Sequence, residues 1–83
     1  MKVVDVADEI YRELGSPTDT SIASISFWVR SNIGALNNHI NMEFLIDGTT
    51  LEVSYTDDDD VKVNLDIEEA SILKKMYLLA INI

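Results

Sequence analysis

A cysteine-free chain of 83 residues has neither a disulfide framework nor a zinc–thiolate site, and folding buries only about 60–65% of its unfolded surface. Fifteen acids against six bases leave a net charge of −9, which opposes binding to nucleic-acid backbones and to anionic membranes. The apolar run Met76–Ile81 is far short of the roughly 20 residues that span a bilayer, and Met1-Lys2-Val3-Val4-Asp5, charged within five residues, does not read as a signal peptide. A single soluble domain over residues 1–83, compatible with the cytosol, is therefore expected, with neighbouring chains as a natural source of added stability.

Val3, Val6, Ala7, Ile10 and Leu14 recur at helical spacing, while Asp5, Asp8, Glu9, Arg12 and Glu13 occupy the other face. This predicts an amphipathic helix over 3–14, stopped by Gly15. Ser16-Pro17-Thr18-Asp19 then reads as a second helix start, with Ser16 as cap and Asp19 completing a capping box, or with the helix opening at Thr18 or Asp19. Ile22, Ile25, Val29, Ile33, Leu36 and Ile40 carry one stripe through a long helix over 18–40, despite Gly34, which costs about 1 kcal/mol relative to alanine.

Away from that stripe the long helix is nearly uncharged. Ser21, Ser24, Ser26, Ser31, Asn32, Asn37, Asn38 and Asn41 are small or neutral, and Arg30 is the one full charge after Asp19. Solvated helix faces favour Lys and Glu, whereas Ser and Asn permit close approach without desolvating a charge. The expectation is a helix covered on more than one side.

From Met42 the period becomes two. Glu43-Phe44-Leu45-Ile46, the turn dipeptide Asp47-Gly48, Leu51, Val53 and Tyr55, and then Val61, Val63 and Leu65 predict an antiparallel hairpin or meander over 43–65. Residues 43–66 hold eight acids and Lys62, a net of −7, so the negative charge is concentrated there. Asp66 then caps a helix over 67–82, with Glu69 in the capping-box position and Glu68 and Glu69 on the favourable end of the dipole. Ala70, Leu73, Tyr77 and Ala80 form one apolar stripe, and Ile72, Met76, Leu79 and Ile83 form another, too much for a helix wet on one side. That helix reaches Ile83 without a cap, which implies a covering partner or a native chain continuing beyond 83. The fold class is mostly α with a small antiparallel sheet, α+β, with about three helices and the second long.

Chemistry is sparse. Asp57, Asp58, Asp59 and Asp60 are adjacent, without the spaced ligands, turn glycine and distal glutamate of a calcium loop, so a solvated acidic tip is favoured over a weak cation site. His39 is the single histidine and has no orienting partner or nucleophile nearby in sequence, which favours a packing or interface role. No carboxylate pair stands out in apolar surroundings, and the chain has little room for a ligand pocket. A non-catalytic protein is expected, with no cofactor and no metal. Trp28 lies at the edge of the main stripe, in a row with Asn32, Ala35 and His39, and either packs on the first helix or anchors a partner. Arg30 sits on the other side of the helix, facing solvent, an intrachain acid or a neighbour. The candidate interface is Trp28, Arg30, Asn32, His39, Ile72, Met76 and Leu79.

The segments Ile25-Ser26-Phe27-Trp28-Val29-Arg30-Ser31-Asn32-Ile33-Gly34-Ala35-Leu36-Asn37 and Glu69–Tyr77, with the Leu14-Gly15-Ser16-Pro17 break and the acidic hairpin between them, resemble head–tail connector (adaptor) proteins of tailed bacteriophages, particularly neck proteins of cyanophages and marine phages. The resemblance spans most of the chain as a pattern of helices and packing residues and contains no chemical motif. It implies a virion structural protein assembled in the host cytoplasm and located in the virion neck. Copies would form a ring, dodecameric in the family, docked on the portal protein and meeting other neck or tail proteins, with DNA passing through unread and no membrane involved. An acidic channel wall would suit DNA that must not be gripped. A different reading of the same residues is a small acidic protein-binding module, an adaptor or inhibitor, whose 43–66 segment recognises a basic partner.

Overall fold

The structure, a computed structural model, describes residues 1–81 and contains three helices and a three-stranded antiparallel sheet. The helices are α1 (Val3–Glu13), α2 (Ile22–Ile40) and α3 (Ile67–Ile81), and the strands are β1 (Leu45–Ile46), β2 (Val53–Thr56) and β3 (Lys62–Asn64). The α+β class and the long second helix, 19 residues, follow the sequence expectation. The predicted second stripe of α3 ends on Ile83, and its predicted length reaches residue 82. Both positions, and the inference drawn from an uncapped Ile83, lie outside the described residues.

Local chemistry sets the helix ends. Asp5 in the first turn of α1 accepts the Lys2 backbone N–H at 3.0 Å, close to the positive end of the helix dipole. At the other end the Gly15 N–H reaches the Arg12 carbonyl at 3.0 Å and the Ser16 N–H reaches the Tyr11 carbonyl at 3.1 Å. This is a Schellman closure, and Gly15 takes the left-handed φ of +83° that it requires.

The expected start of the second helix at 16–19 is not used. Ser16 has a left-handed φ of +51°, and the Pro17 carbonyl accepts the Tyr11 hydroxyl at 2.9 Å, which ties the segment back onto α1. Ser21 is the N-cap instead, its Oγ accepting the Ser24 N–H at 3.1 Å. Helix α2 therefore opens four residues after position 18 and ends as expected at Ile40, where Asn41 turns left-handed at φ +56°. At α3, Asp66 Oδ1 accepts the N–H of Ile67 at 2.7 Å and its carbonyl accepts the N–H of Ala70.

The strands pair in the order β1-β2-β3, with Ile46 opposite Val53 and Tyr55 opposite Val63. Side chains alternate across a sheet, so these four share one face with Phe44 and Leu65, and Leu45, Ser54 and Asn64 share the other. Residues 1–3 extend the sheet by pairing along Leu51–Val53 at the start of β2. The N–H of Val53 bonds the Met1 carbonyl, the N–H of Val3 bonds the Leu51 carbonyl, and the terminal ammonium of Met1 donates to the Leu65 carbonyl at 2.8 Å. That ammonium also lies 3.3 Å from Glu52.

The core is apolar and continuous. Val3, Val6, Ala7 and Ile10 of α1 meet Ile25, Val29, Ile33 and Leu36 of α2, while Ala70, Leu73 and Tyr77 of α3 and Phe44, Val53 and Leu65 close it. Each fully buried Val, Leu, Ile or Phe contributes about 1.5–3 kcal/mol from apolar burial. Two edge-on aromatic pairs add direction: Trp28 with Tyr77 at 5.1 Å, and Phe44 with Tyr55 at 5.2 Å.

Candidate protein-contact surface

The neutral residues of α2 divide into two groups. Asn37 reaches across the turn to the backbone of Phe44, Asn32 Nδ2 donates to the Trp28 carbonyl at 2.8 Å, and Ser31 Oγ donates to the Phe27 carbonyl at 2.9 Å. These polar groups are satisfied within the chain. The expected second covering of α2 is not supplied by this chain, since Ala23, Ser24, Phe27, Arg30, Ser31, Gly34, Ala35, Asn38 and His39 all remain exposed. Phe27 is 73% exposed, and nothing lies within 4 Å of where a Cβ on Gly34 would sit.

Trp28 is half-buried, packed against the core with its ring edge-on to Tyr77 of α3. Arg30 is exposed and takes part in none of the three ion pairs among the described residues. Asn32 is half-buried and His39 is exposed in the last turn of α2. On α3, Ile72 and Met76 are partly covered by the chain's own core, whereas Leu79 is 72% exposed. The candidate residues thus do not gather into one patch: Trp28 and Asn32 turn inward with Ile72 and Met76, and Arg30, His39 and Leu79 face out.

Phe27 was not singled out by the sequence pattern, although its offset of two from both Ile25 and Val29 places it across the helix from the stripe. It lines a shallow groove of about 380 Å³ with Arg30 and Ser31 of α2 and Ile46, Gly48 and Leu51 of the sheet. Leu45, also 73% exposed, could have been found from strand alternation, being on the opposite face to Phe44 and Ile46.

The acidic tip is held by its own first residue. Asp57 Oδ1 accepts the N–H groups of Asp59 and Val61, both at 2.9 Å, and the Asp60 N–H returns to the Asp57 carbonyl at 3.0 Å. Asp58, Asp59 and Asp60 are exposed. Asp47 plays the same part in the β1–β2 loop, where Thr49 and Thr50 donate to its Oδ1 at 2.8 Å. The N–H groups of Thr50 and then Thr49 hold its carboxyl below the ordinary value of 3.8. Among the described residues no three His, Asp or Glu side chains are placed to hold a metal ion, and no helix is long and apolar enough to cross a membrane.

No family model, no curated protein and no solved structure matches the chain.

Proposed function

We propose that the chain is a non-catalytic virion structural protein, one subunit of a head–tail connector ring docked on the portal of a tailed bacteriophage. The observation that carries this reading is the open face of α2, where an exposed phenylalanine, an unhindered glycine and one guanidinium stand on a surface otherwise almost free of charge. Solvent alone gives no reason for an aromatic at 73% exposure on the same helix face as a mid-helix glycine, about two turns further on, that the chain's own packing does not require. A neighbouring chain gives one. The same helix carries the Ile25–Asn37 segment that resembles connector proteins.

In this reading the neutral face of α2 and the exposed end of the α3 stripe around Leu79 meet neighbouring copies, and the acidic loops stay clear of passing DNA. The test is to mix the purified chain with portal rings from the virion that encodes it and to image the product by electron microscopy. A ring of copies at one end of the portal is the expected result. A chain that stays monomeric at high concentration and binds no portal assembly would sink the reading.

A further inference from the structure

Two surfaces at opposite ends of β2 are complementary in charge and polarity. At its start lies the groove lined by Phe27, Arg30, Ser31, Ile46, Gly48 and Leu51, a cation on an apolar floor. At its end lies the β2–β3 tip, where exposed Asp58, Asp59 and Asp60 run into Val61, itself 55% exposed. We propose that copies of this chain join head to tail, the Asp58–Val61 tip of one copy seated in the Phe27–Arg30 groove of the next. The proposal rests on the reading of the chain as a ring subunit, and it names the surfaces that would meet.

Charge selects the occupant. A chain of net charge −9 opposes indiscriminate self-association, so a contact between copies is favoured where a cation meets the other copy's acids. Arg30 is outside all three ion pairs of the described residues, as are Lys2, Lys62 and Lys75, and it lines a groove with apolar side chains beside it. Val61 gives the tip an apolar residue to set against Phe27, Ile46 and Leu51.

The tip is also pre-shaped. Asp57 ties down the N–H groups of Asp59 and Val61, and the Asp57 N–H bonds the Val61 carbonyl at 2.9 Å, so little order remains to be imposed on docking. One copy cannot satisfy itself. From Arg30 to the end of α2, where Asn41 neighbours Asp57 and Asp58 around a second hollow, the helix runs about 16 Å at 1.5 Å per residue. Contacts between two different patches are heterologous, and such contacts close into rings or run on as filaments.

Sedimentation velocity of the full chain over a range of concentration and salt tests this, with Arg30→Glu, with Asp58→Lys/Asp59→Lys, and with an equimolar mixture of the two. Asp57 and the left-handed Asp60 are left alone because they shape the loop. Wild-type copies are expected to associate, less so as salt rises. Each variant alone is expected to associate about tenfold or more weakly, and the mixture to recover, since each variant's altered surface then faces its opposite. Lys75→Glu, the same charge change at an exposed site on α3, is expected to behave as wild type.

Wild-type chains that remain monomeric throughout would overturn the contact, and the ring reading would then stand or fall on portal binding alone. Association that survives in both variants, fails to recover in the mixture, or drops equally in Lys75→Glu would overturn the contact while leaving the ring reading in place.

Discussion

Asn37 and Phe44 are joined by a pair of hydrogen bonds: Asn37 Nδ2 donates to the Phe44 carbonyl at 2.9 Å, and its Oδ1 accepts the Phe44 N–H at 2.8 Å. One side-chain amide therefore does for Phe44 what a neighbouring strand would, at the point where the chain leaves α2 and enters the sheet. It fixes the backbone that aims the Phe44 ring into the core, where only 1% of the residue is exposed.

Removing that amide strands a partly buried carbonyl and N–H. Asn37→Ala is expected to lower stability by about 1–3 kcal/mol. Asn37→Asp keeps the acceptor, loses the donor and sets a carboxylate against the Phe44 carbonyl, so it should not rescue. Urea denaturation followed by Trp28 fluorescence reads both. An unchanged midpoint for Asn37→Ala would show the pair to be dispensable.

The Trp28–Tyr77 contact couples α2 to α3. A double-mutant cycle with Trp28→Leu and Tyr77→Leu is expected to give an interaction energy of about 0.5–1.5 kcal/mol, read by thermal unfolding in the far ultraviolet. Additive losses would mean that the two rings merely lie near one another.

Two glycines should respond with opposite signs. Gly15 sits at φ +83°, so Gly15→Ala is expected to destabilise by about 1 kcal/mol or more through backbone strain. Gly34 lies within α2 with open space around it, so Gly34→Ala is expected to stabilise the isolated chain by about 1 kcal/mol. Calorimetry on the dilute chain separates them, and a destabilising Gly34→Ala would reveal an intrachain constraint at that site.

Asp47 should titrate low. Its folded pKa is depressed, so its contribution to stability is fully present above the ordinary carboxylate value of 3.8 and is lost as pH falls through that value and on through the folded pKa. Carboxyl-carbon NMR is expected to place its midpoint below 3.8, and Asp47→Asn should shallow the loss of stability on acidification. A midpoint at or above 3.8 would mean that the Thr50 and Thr49 N–H groups are not holding the charge.

Signals contained within a few residues were readable from the sequence. Gly15 marks the end of α1, and the stripe Ile25–Leu36 marks the buried face of α2, because both follow from local geometry. The start of α2 was misplaced: the sequence pointed to Ser16, Thr18 or Asp19, whereas Ser21 is the cap, and the Tyr11 hydroxyl on the Pro17 carbonyl, a contact that local sequence does not show, holds the intervening segment against α1. Asn37 could not be told from Asn38 by residue type, yet one grips Phe44 and the other is exposed. Arg30 was legible as the isolated charge of α2, whereas its groove needed Ile46 and Leu51, which only the folded sheet brings alongside.

The strand-like pairing of residues 1–3 runs along Leu51–Val53 at the start of β2, and the Met1 ammonium reaches on to the Leu65 carbonyl, 64 positions away. During synthesis α1 and α2 can pair as soon as both have left the ribosome, because their contacts are near in sequence. The ladder of residues 1–3 cannot form until Leu51–Val53 have followed them out, and the bond from Met1 to Leu65 comes later still. A nascent chain arrested before Leu51 holds a helical pair and an unpaired amino-terminal segment, and the whole domain is expected to resist protease only once α3, whose Ala70, Leu73 and Tyr77 close the core, has emerged.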